Sequence, residues 1–347
     1  MLETWFAILC FMLTVFALLD GWNIGAGVVH HFIGRNDAQR RLVVAALGPY
    51  WSWHEVWLVA FGGVLFVAFP VALAIALPGF YLAIMMLLWS LVLRGMALEI
   101  GGHLSDPLWR SFWDGIFTLG SVLLALLIGV GLGNLVRGVP LATAGGTFWM
   151  PLFTDFSARG QVGLLDWYTL LTGTFTVAAL GAHGAAYVAL KTNGPVHQQA
   201  TVVARRLWLL TTVLLVAVSA GTAVLRPELF AGMLAHPAGW AGALVLLAGG
   251  IGLLRGLLGD REQATFLGGC ALIAGLFICG AAGTYPVLLH STLDPAASLT
   301  ATQASVNASL GMALVWWPLS LILVVAYFVI FMRVYAGKVT KPEEHGG

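Results

Sequence analysis

The stretch DGWNIGAGVVHHFIGRNDAQRRLVVAALGPYWSWHEVW, Asp20 to Trp57, decides how the rest of the chain is read. An aspartate falls inside an apolar run and glycines follow it. A basic segment then carries the chain out, and a histidine and a glutamate open the next apolar run. An ionisable side chain in hydrocarbon costs roughly 2.5–3.5 kcal/mol on insertion scales, so such groups mark an ion path or a buried partner. The first expectation is a membrane protein that handles protons.

Working outward, the composition points the same way. Of 347 residues, 60% are hydrophobic and 9% charged, too few charges to cover a soluble domain of that size. The apolar runs are continuous rather than alternating, which selects helices over a barrel. A net charge of +1 gives no footing for nucleic acid. Cys10, Cys270 and Cys279 all lie within apolar segments, without disulfide or haem-attachment spacing, and read as packing residues. No basic leader precedes the first apolar run, which is long enough to span and is expected to be a retained helix rather than a signal peptide.

Nine spans of about 20 apolar residues can be placed. They are Trp5–His31, Trp51–Leu73, Phe80–Leu98, Phe112–Leu135, Trp167–Leu190, Leu207–Leu225, Trp240–Leu258, Ala264–Val287 and Met312–Met332. The second begins with polar residues and contains Pro70; Pro78-Gly79 marks the break before the third. Nine spans put Arg35, Arg40, Arg41, Arg94, Arg110, Lys191, Arg205, Arg206, Arg255, Arg261, Arg333, Lys338 and Lys341 on one side. Arg137, Arg159 and Arg226 fall on the other, 13 against 3, which accounts for all 16 basic residues. Without the second span, the arginines of the first loop would lie opposite the later basic loops. The asymmetry therefore supports nine spans with the N-terminus outside and the C-terminus in the cytoplasm.

The expected fold is an all-α polytopic membrane protein of about nine transmembrane helices, arranged as two four-helix bundles plus a peripheral helix. Residues 1–336 form the membrane domain and 337–347 a short cytoplasmic tail. The polar end after Met332 reads as disordered. Small residues in GAHGAA (181–186) and LAGGIGLL (247–254) suit close helix packing. Most tryptophans fall at span ends, as an interfacial belt; Trp51, Trp53 and Trp57 differ because they flank polar groups.

With that orientation, Asp20 lies near mid-membrane. Ser52, His54 and Glu55 open the second span from the cytoplasm, Arg94 and Glu99 close the third, and His183 lies in the cytoplasmic half of the fifth. The buried ionisable groups converge on Asp20, the layout of a half-channel that draws protons in and stops mid-membrane. Asp20, Ser52, His54, Glu55, Glu99 and His183 are the candidate proton path. Each also has a plainer reading. Asp20 could hold a helix junction by bonding backbone freed at Gly21, Gly25 and Gly27. Glu55 and Arg94 could be a structural ion pair, which is compatible with a proton role. Glu99 could be a solvated helix end, and His30 and His31 read as interfacial residues without chemistry. His54 and His183 could instead ligate a haem, but a hydrogen-bonded packing histidine is commoner. No HExxH, paired-carboxylate metal motif or nucleophile elbow is present, so no metal site and no catalytic residue is assigned to the chain itself.

These residues also carry a resemblance. The chain resembles subunit II of cytochrome bd-type quinol oxidases nearly end to end. The family's first-span signature is matched by DGWNIGAG (20–27), its first-loop signature by GRNDAQRR (34–41), and its GPxW by Gly48, Pro49 and Trp51. EVWLV (55–59), GGVLFVAFP (62–70), GFY (79–81), LRGMALE (93–99), GNLVRGVPL (133–141), HGAAY (183–187) and KTNG (191–194) follow in order. YP (285–286), SLT (298–300), Pro318, Tyr327 and GK (337–338) complete the match.

The resemblance implies a heterodimer with a larger haem-bearing subunit I that holds the b- and d-type haems and the quinol site. It implies a complex in a bacterial or archaeal cytoplasmic membrane that oxidises quinol and reduces dioxygen to water with cytoplasmic protons. Subunit II then supplies scaffold, part of the proton route and, in some members, a structural quinone; small accessory subunits are compatible with it. One departure stands out. The family commonly reads W-D-G-N-[EQ]-V-W where this chain reads WSWHEVW (51–57), so Ser52 replaces an acidic residue. A serine can relay a proton but not store one, and His54 and Glu55 are the titratable neighbours that could take over. Two other functions remain open to the residues: a secondary transporter, which also uses intramembrane acids and glycine-rich helices, and a membrane cytochrome subunit with its own haem.

Overall fold

The computed structural model describes residues 1–48, 51–157, 160–306 and 310–339. Pro49, Arg159 and Lys341 lie outside the described residues, as does the side chain of Trp51. Among the described residues, nine helical stretches are long and apolar enough to cross a membrane. The chain is an all-α polytopic membrane protein.

The first span, α1 (Leu2–Val28), is one uninterrupted helix through the glycine-rich stretch. The Val29 amide still bonds Gly25 O at 3.1 Å, so the glycines free no backbone for Asp20 to hold, and the helix-junction reading of Asp20 falls. The glycines act on packing instead. A Cβ on Gly25 would stand 1.7 Å from Leu180 O, and one on Gly184 would stand 2.1 Å from the Ala26 amide nitrogen. Only hydrogen at both positions lets α1 touch α9 (Trp167–Lys191) backbone to backbone. Every residue of α9 from Ala178 to Ala189 is buried, so GAHGAA marks the centre of the molecule.

The basic loop is largely helical. After the short α2 (His30–Ile33), Asn36 caps α3 (Asp37–Leu47) by accepting from the Gln39 amide at 2.9 Å. The second span comes in pieces, α4 (Trp51–His54), α5 (Val56–Ala68) and α6 (Pro70–Gly79). It breaks at Phe69 because Pro70 has no amide hydrogen to continue the ladder and is accepted only as a first residue. A second turn at Phe80, after Pro78-Gly79, leads into α7 (Tyr81–Ile100).

Beyond it run α8 (Pro107–Arg137), α9, α10 (Gly194–Leu225), α11 (Glu228–Ala235), α12 (Pro237–Leu258), α13 (Glu262–Thr284), the short α14 (Ala301–Ala304) and α15 (Leu310–Val334). Both α8 and α10 start well before the expected Phe112 and Leu207. Asp106 and Pro107 begin α8, and Gly194-Pro195 begins α10, as caps and first-turn prolines do.

The helices sort into α1, α5, α7 and α8 on one side and α9, α10, α12 and α13 on the other, joined where α1 and α8 lie against α9. Peripheral α15 touches the first group through aromatic rings: Trp53 stacks on Tyr327 at 4.5 Å and on Phe331 at 4.2 Å, and Trp57 meets Phe328 at 5.6 Å. Trp53 and Trp57 thus fasten α15 rather than serve polar neighbours.

At one end of the bundle, the two long connections clasp each other. Val139 N donates to His290 O (2.8 Å), Thr292 N to Val139 O (3.0 Å) and Ser291 Oγ to Leu141 O (2.6 Å). A two-stranded ribbon, β1 (Val287–Leu289) and β2 (Leu299–Thr300), completes this cap. The opposite end corrects the expectation of disorder after Met332. Lys191 Nζ donates to the carbonyls of Tyr335 and Gly337 at 2.8 and 3.0 Å, Val339 N donates to Lys191 O, and Lys338 pairs with Glu262. The lysine supplies partners for carbonyls that the end of α15 leaves open, so the chain is tied down through Val339.

Candidate functional site

The α1, α5 and α7 helices bring two carboxylates to one guanidinium. Arg94 is fully buried on α7. Its Nη2 donates to Asp20 Oδ1 at 3.3 Å and its Nη1 to Glu55 Oε1 at 3.0 Å. Asp20 is fully buried and also accepts from Asn23 Nδ2 at 3.1 Å, one turn along α1. Glu55 keeps 28% of its side chain exposed, so it is the outer member and Asp20 the inner one. Two negative charges facing one positive charge leave the cluster one charge short of neutral. It can therefore take up one proton and become neutral, and the buried arginine holds both carboxylates in place while it does so.

His54 lies beside this cluster, fully buried, edge-on to Trp22 at 4.8 Å and against Phe328 at 6.0 Å. His183 is also buried; its Nε2 lies 3.2 Å from Leu18 O, and its ring stacks on Phe266 at 5.0 Å with Cys270 Sγ at 3.9 Å. Rings fill the route between the two histidines: His54 on Trp22, Trp22 on Tyr187 (3.6 Å), Tyr187 by Phe266 (5.6 Å) and Phe266 on His183. Because the aromatics pack where a macrocycle would sit, the residues present do not fit bis-histidine ligation of a haem between His54 and His183.

Two other sequence candidates stand apart. Ser52 is exposed and lines a cleft of about 290 Å3 with Trp53, Val56, Val324, Tyr327 and Phe328. Glu99 is exposed at the end of α7. Among the described contacts, none joins Ser52, Glu99 or His183 to the carboxylates. The three cysteines are free thiols, and among the described residues no group of three His, Cys, Asp or Glu could hold a metal ion.

His30 corrects the reading of it as an interfacial bystander. It is fully buried, its Nε2 is 3.1 Å from Asp114 Oδ1 on α8, and Arg40 Nε reaches the other oxygen of Asp114 at 2.7 Å. His31 does lie at the surface, 2.8 Å from Thr118 Oγ1. Asp114 escaped sequence reading because it sits in the first turns of a helix whose expected span starts at Phe112, where an acid reads as a solvated end. The pairing of Asn36 and Asp37 with a following helix start was the available signal that this loop folds back.

At the opposite end, Arg137 forms a close ion pair with Asp166, donates to Gly163 O at 2.9 Å and contacts Asn134 Oδ1. Asp166 also caps α9 in a reciprocal box with Thr169. This buried pair locks the connection between α8 and α9 and is structural.

A family model described as cytochrome bd terminal oxidase subunit II matches residues 1–335. The chain is 35% identical over 211 residues to the cytochrome bd-I ubiquinol oxidase subunit 2 of Escherichia coli (strain K12), covering 60% of this chain and 54% of that one. It is 29% identical over 206 residues to the cytochrome bd ubiquinol oxidase subunit 2 of Bacillus subtilis (strain 168), covering 59% and 58%. These alignments span little more than half the length of the curated relatives. The fold is similar to a chain in the structure of bd oxidase from Geobacillus thermodenitrificans, with a TM-score of 0.73 over 96% of this chain and 98% of that one, at 19% identity. At such identity the likeness concerns the fold alone.

Proposed function

This chain belongs to the cytochrome bd terminal oxidase subunit II family, and we propose that it works as the non-haem-bearing membrane subunit of a bd-type quinol:dioxygen oxidoreductase. It pairs with a haem-bearing subunit I that holds the b- and d-type haems, where quinol is oxidised and dioxygen reduced to water. It scaffolds that partner and carries protons toward it from the cytoplasm. The N-terminus is outside and the C-terminus, with the tail 337–347, is cytoplasmic. Contacts among Arg35 and Gln199, Arg205 and Asp260, and Lys338 and Glu262 gather the basic residues at one end of the bundle, in keeping with that orientation.

The observation that carries the proton role is the shared guanidinium: Glu55, partly exposed, and Asp20, fully buried, held 3.0 and 3.3 Å from Arg94. Glu55 takes a proton from the cytoplasmic side, and Asp20 receives it at the inner end. His54, adjacent to Glu55 in sequence, lines the approach. Ser52 relays no proton to the carboxylates in this reading. Its cleft against α15 suits the other role the resemblance implies, since flat rings and the hydroxyls of Ser52 and Tyr327 could hold the head of a structural quinone.

The test is to purify the complex from membranes, record its optical spectrum and follow oxygen uptake with quinol. The chain is expected to co-purify with a haem-bearing partner and to show no Soret band when isolated. A stable, colourless chain purified alone would point to a transporter instead. His54→Ala/Glu55→Ala membranes with full oxygen consumption and charge translocation would refute the assigned path.

A further inference from the structure

A second polar seam runs from the same aspartate to the basic end of the bundle, along the line where α1 meets α8. On α1 and α2, Asp20, Asn23, Gly27 and His30 recur at spacings of three and four and so share one face. On α8, Asp114, Phe117 and Ser121 do the same. The faces meet. His30 bonds Asp114 and lies edge-on to Phe117 at 5.2 Å. Gly27 lies against Ser121, where an added Cβ would stand 2.0 Å from the hydroxyl. The neighbouring Gly120 packs α8 on the backbone of Arg94 and Ser90.

Each end of the seam is anchored by charge, Asp20 with Arg94 at the inner end and Asp114 with Arg40 at the outer. Asp114 keeps 21% of its side chain exposed, whereas Asp20, Asn23, His30 and Ser121 are fully buried. Along the seam, one polar atom of each buried residue has no protein partner: His30 Nδ1, Ser121 Oγ, Asn23 Oδ1 and Asp20 Oδ2. A buried polar atom left unsatisfied is costly, and more so than one that never needed a partner. Four of them in order along one seam is the pattern of groups that bind water in file.

We propose that His30 and Asp114 form a second proton inlet, which feeds Asp20 along the α1–α8 seam through Ser121 and Asn23, independently of Glu55. This rests on the reading of Asp20 as the inner end of a proton path. The step balances with no co-reactant. Asp114 takes a proton from bulk water and passes it to His30 Nε2, and the ring releases its Nδ1 proton inward to water beside Ser121. One proton enters and the imidazole returns to neutral. Ten residues separate Asp20 from His30, about 15 Å at helical rise, so the seam covers the depth that the route must cross.

The experiment uses the intact complex in proteoliposomes, with proton uptake after mixing reduced enzyme with oxygen read by a pH dye inside a rapid-mixing cell. His30→Gln keeps a donor where Nε2 meets Asp114 but cannot pass a proton through. A structural role would be rescued by it and a proton-carrying role would not. With Glu55→Gln closing the first inlet, adding His30→Gln or Ser121→Ala is expected to slow proton uptake about tenfold or more, with haem spectra unchanged and a larger solvent deuterium effect. His31→Gln, at the surface beside it, serves as the control for distortion of the turn. In that background, uptake no slower with His30→Gln or Ser121→Ala added, while Asp20→Asn is slow, would overturn the second inlet and leave the Asp20 path standing. Slowing in His31→Gln equal to that in His30→Gln would also overturn it. Normal uptake in Asp20→Asn would sink both. If His30→Gln does not assemble, Ser121→Ala alone decides, since it removes one oxygen from the seam and touches neither ion pair.

Discussion

Replacing Arg94 with methionine keeps much of the side chain's bulk and removes its charge. The structure sets the size of the effect. At 3.3 Å from Asp20 and 3.0 Å from Glu55, each attraction is worth about 5 kcal/mol with an effective dielectric constant of about 20. Most of that offsets the cost of stripping water from the charges. Removing one partner of a buried pair nevertheless costs about 3–5 kcal/mol, because the remaining charge is stranded. Arg94→Met strands two carboxylates on neighbouring helices, so α1, α5 and α7 lose their tie and gain a repulsion. The assay is the fraction of haem-bearing complex that survives detergent extraction and graded heating. Arg94→Met is expected to fall well below wild type. Neutralising the stranded groups, as in Arg94→Met/Asp20→Asn/Glu55→Gln, is expected to recover most of the loss although three native polar groups are gone. If the single variant is as heat-resistant as wild type, or the triple variant is no better than the single one, the charge argument for this cluster is wrong.

Three other outcomes follow from the packing and the charges. Gly25→Ala drives a methyl into Leu180 O, which forces α1 off α9 and costs more than the about 1–3 kcal/mol of ordinary overpacking; little assembled complex should be recovered from membranes. Asp166→Ala removes a helix cap and leaves Arg137 buried without its acid, a loss of about 3–5 kcal/mol that should appear as early proteolysis in the 138–166 connection. At that same end, stability should fall with acid. Partial burial and the charge of Arg226 hold His290 below the ordinary imidazole value, against the pull of Glu228. Burial works to raise Glu228, but its hydrogen bonds to its own backbone and to Arg226 win and hold it low. Both groups bind protons more readily when unfolded, so their contribution is complete at neutral pH and is lost as pH falls, first below 6.5 for His290 and then below 4.5 for Glu228. His290→Gln should flatten the upper part of that fall in a thermal-inactivation series.

Much of this was legible in the sequence because lipid imposes strict terms. A helix that crosses it must be about 20 residues long and apolar, and an acid within it must have a reason to be there. Those terms exposed the spans, Asp20 and the Arg94–Glu55 pairing. They say little about helices outside the hydrocarbon. The amphipathic α3 looked like a loop, and the polar first half of α10 looked like part of a connection, because water satisfies such segments in either form. They also say nothing about pairing across the chain. Asp114 and His30 are 84 residues apart, and either one read alone is a polar residue at a span end. Ser52 shows the converse error. A family position led to it, but the side chain lines the cleft against α15 and not the carboxylates, since the helix is interrupted at Glu55, between α4 and α5. Asp166 was readable in principle, as D-x-x-T before an apolar run is a helix start.

The claim on which the rest depends is that Asp20 receives protons. Its most direct test is the membrane potential generated by proteoliposomes holding the complex with Asp20→Asn, driven by quinol and recorded alongside oxygen consumption. The substitution keeps the shape of the site and its bond to Arg94, so the complex should assemble with full haem content while potential and oxygen consumption fall together. Wild-type potential and turnover from that variant would contradict the account and leave Asp20 as a residue that only packs.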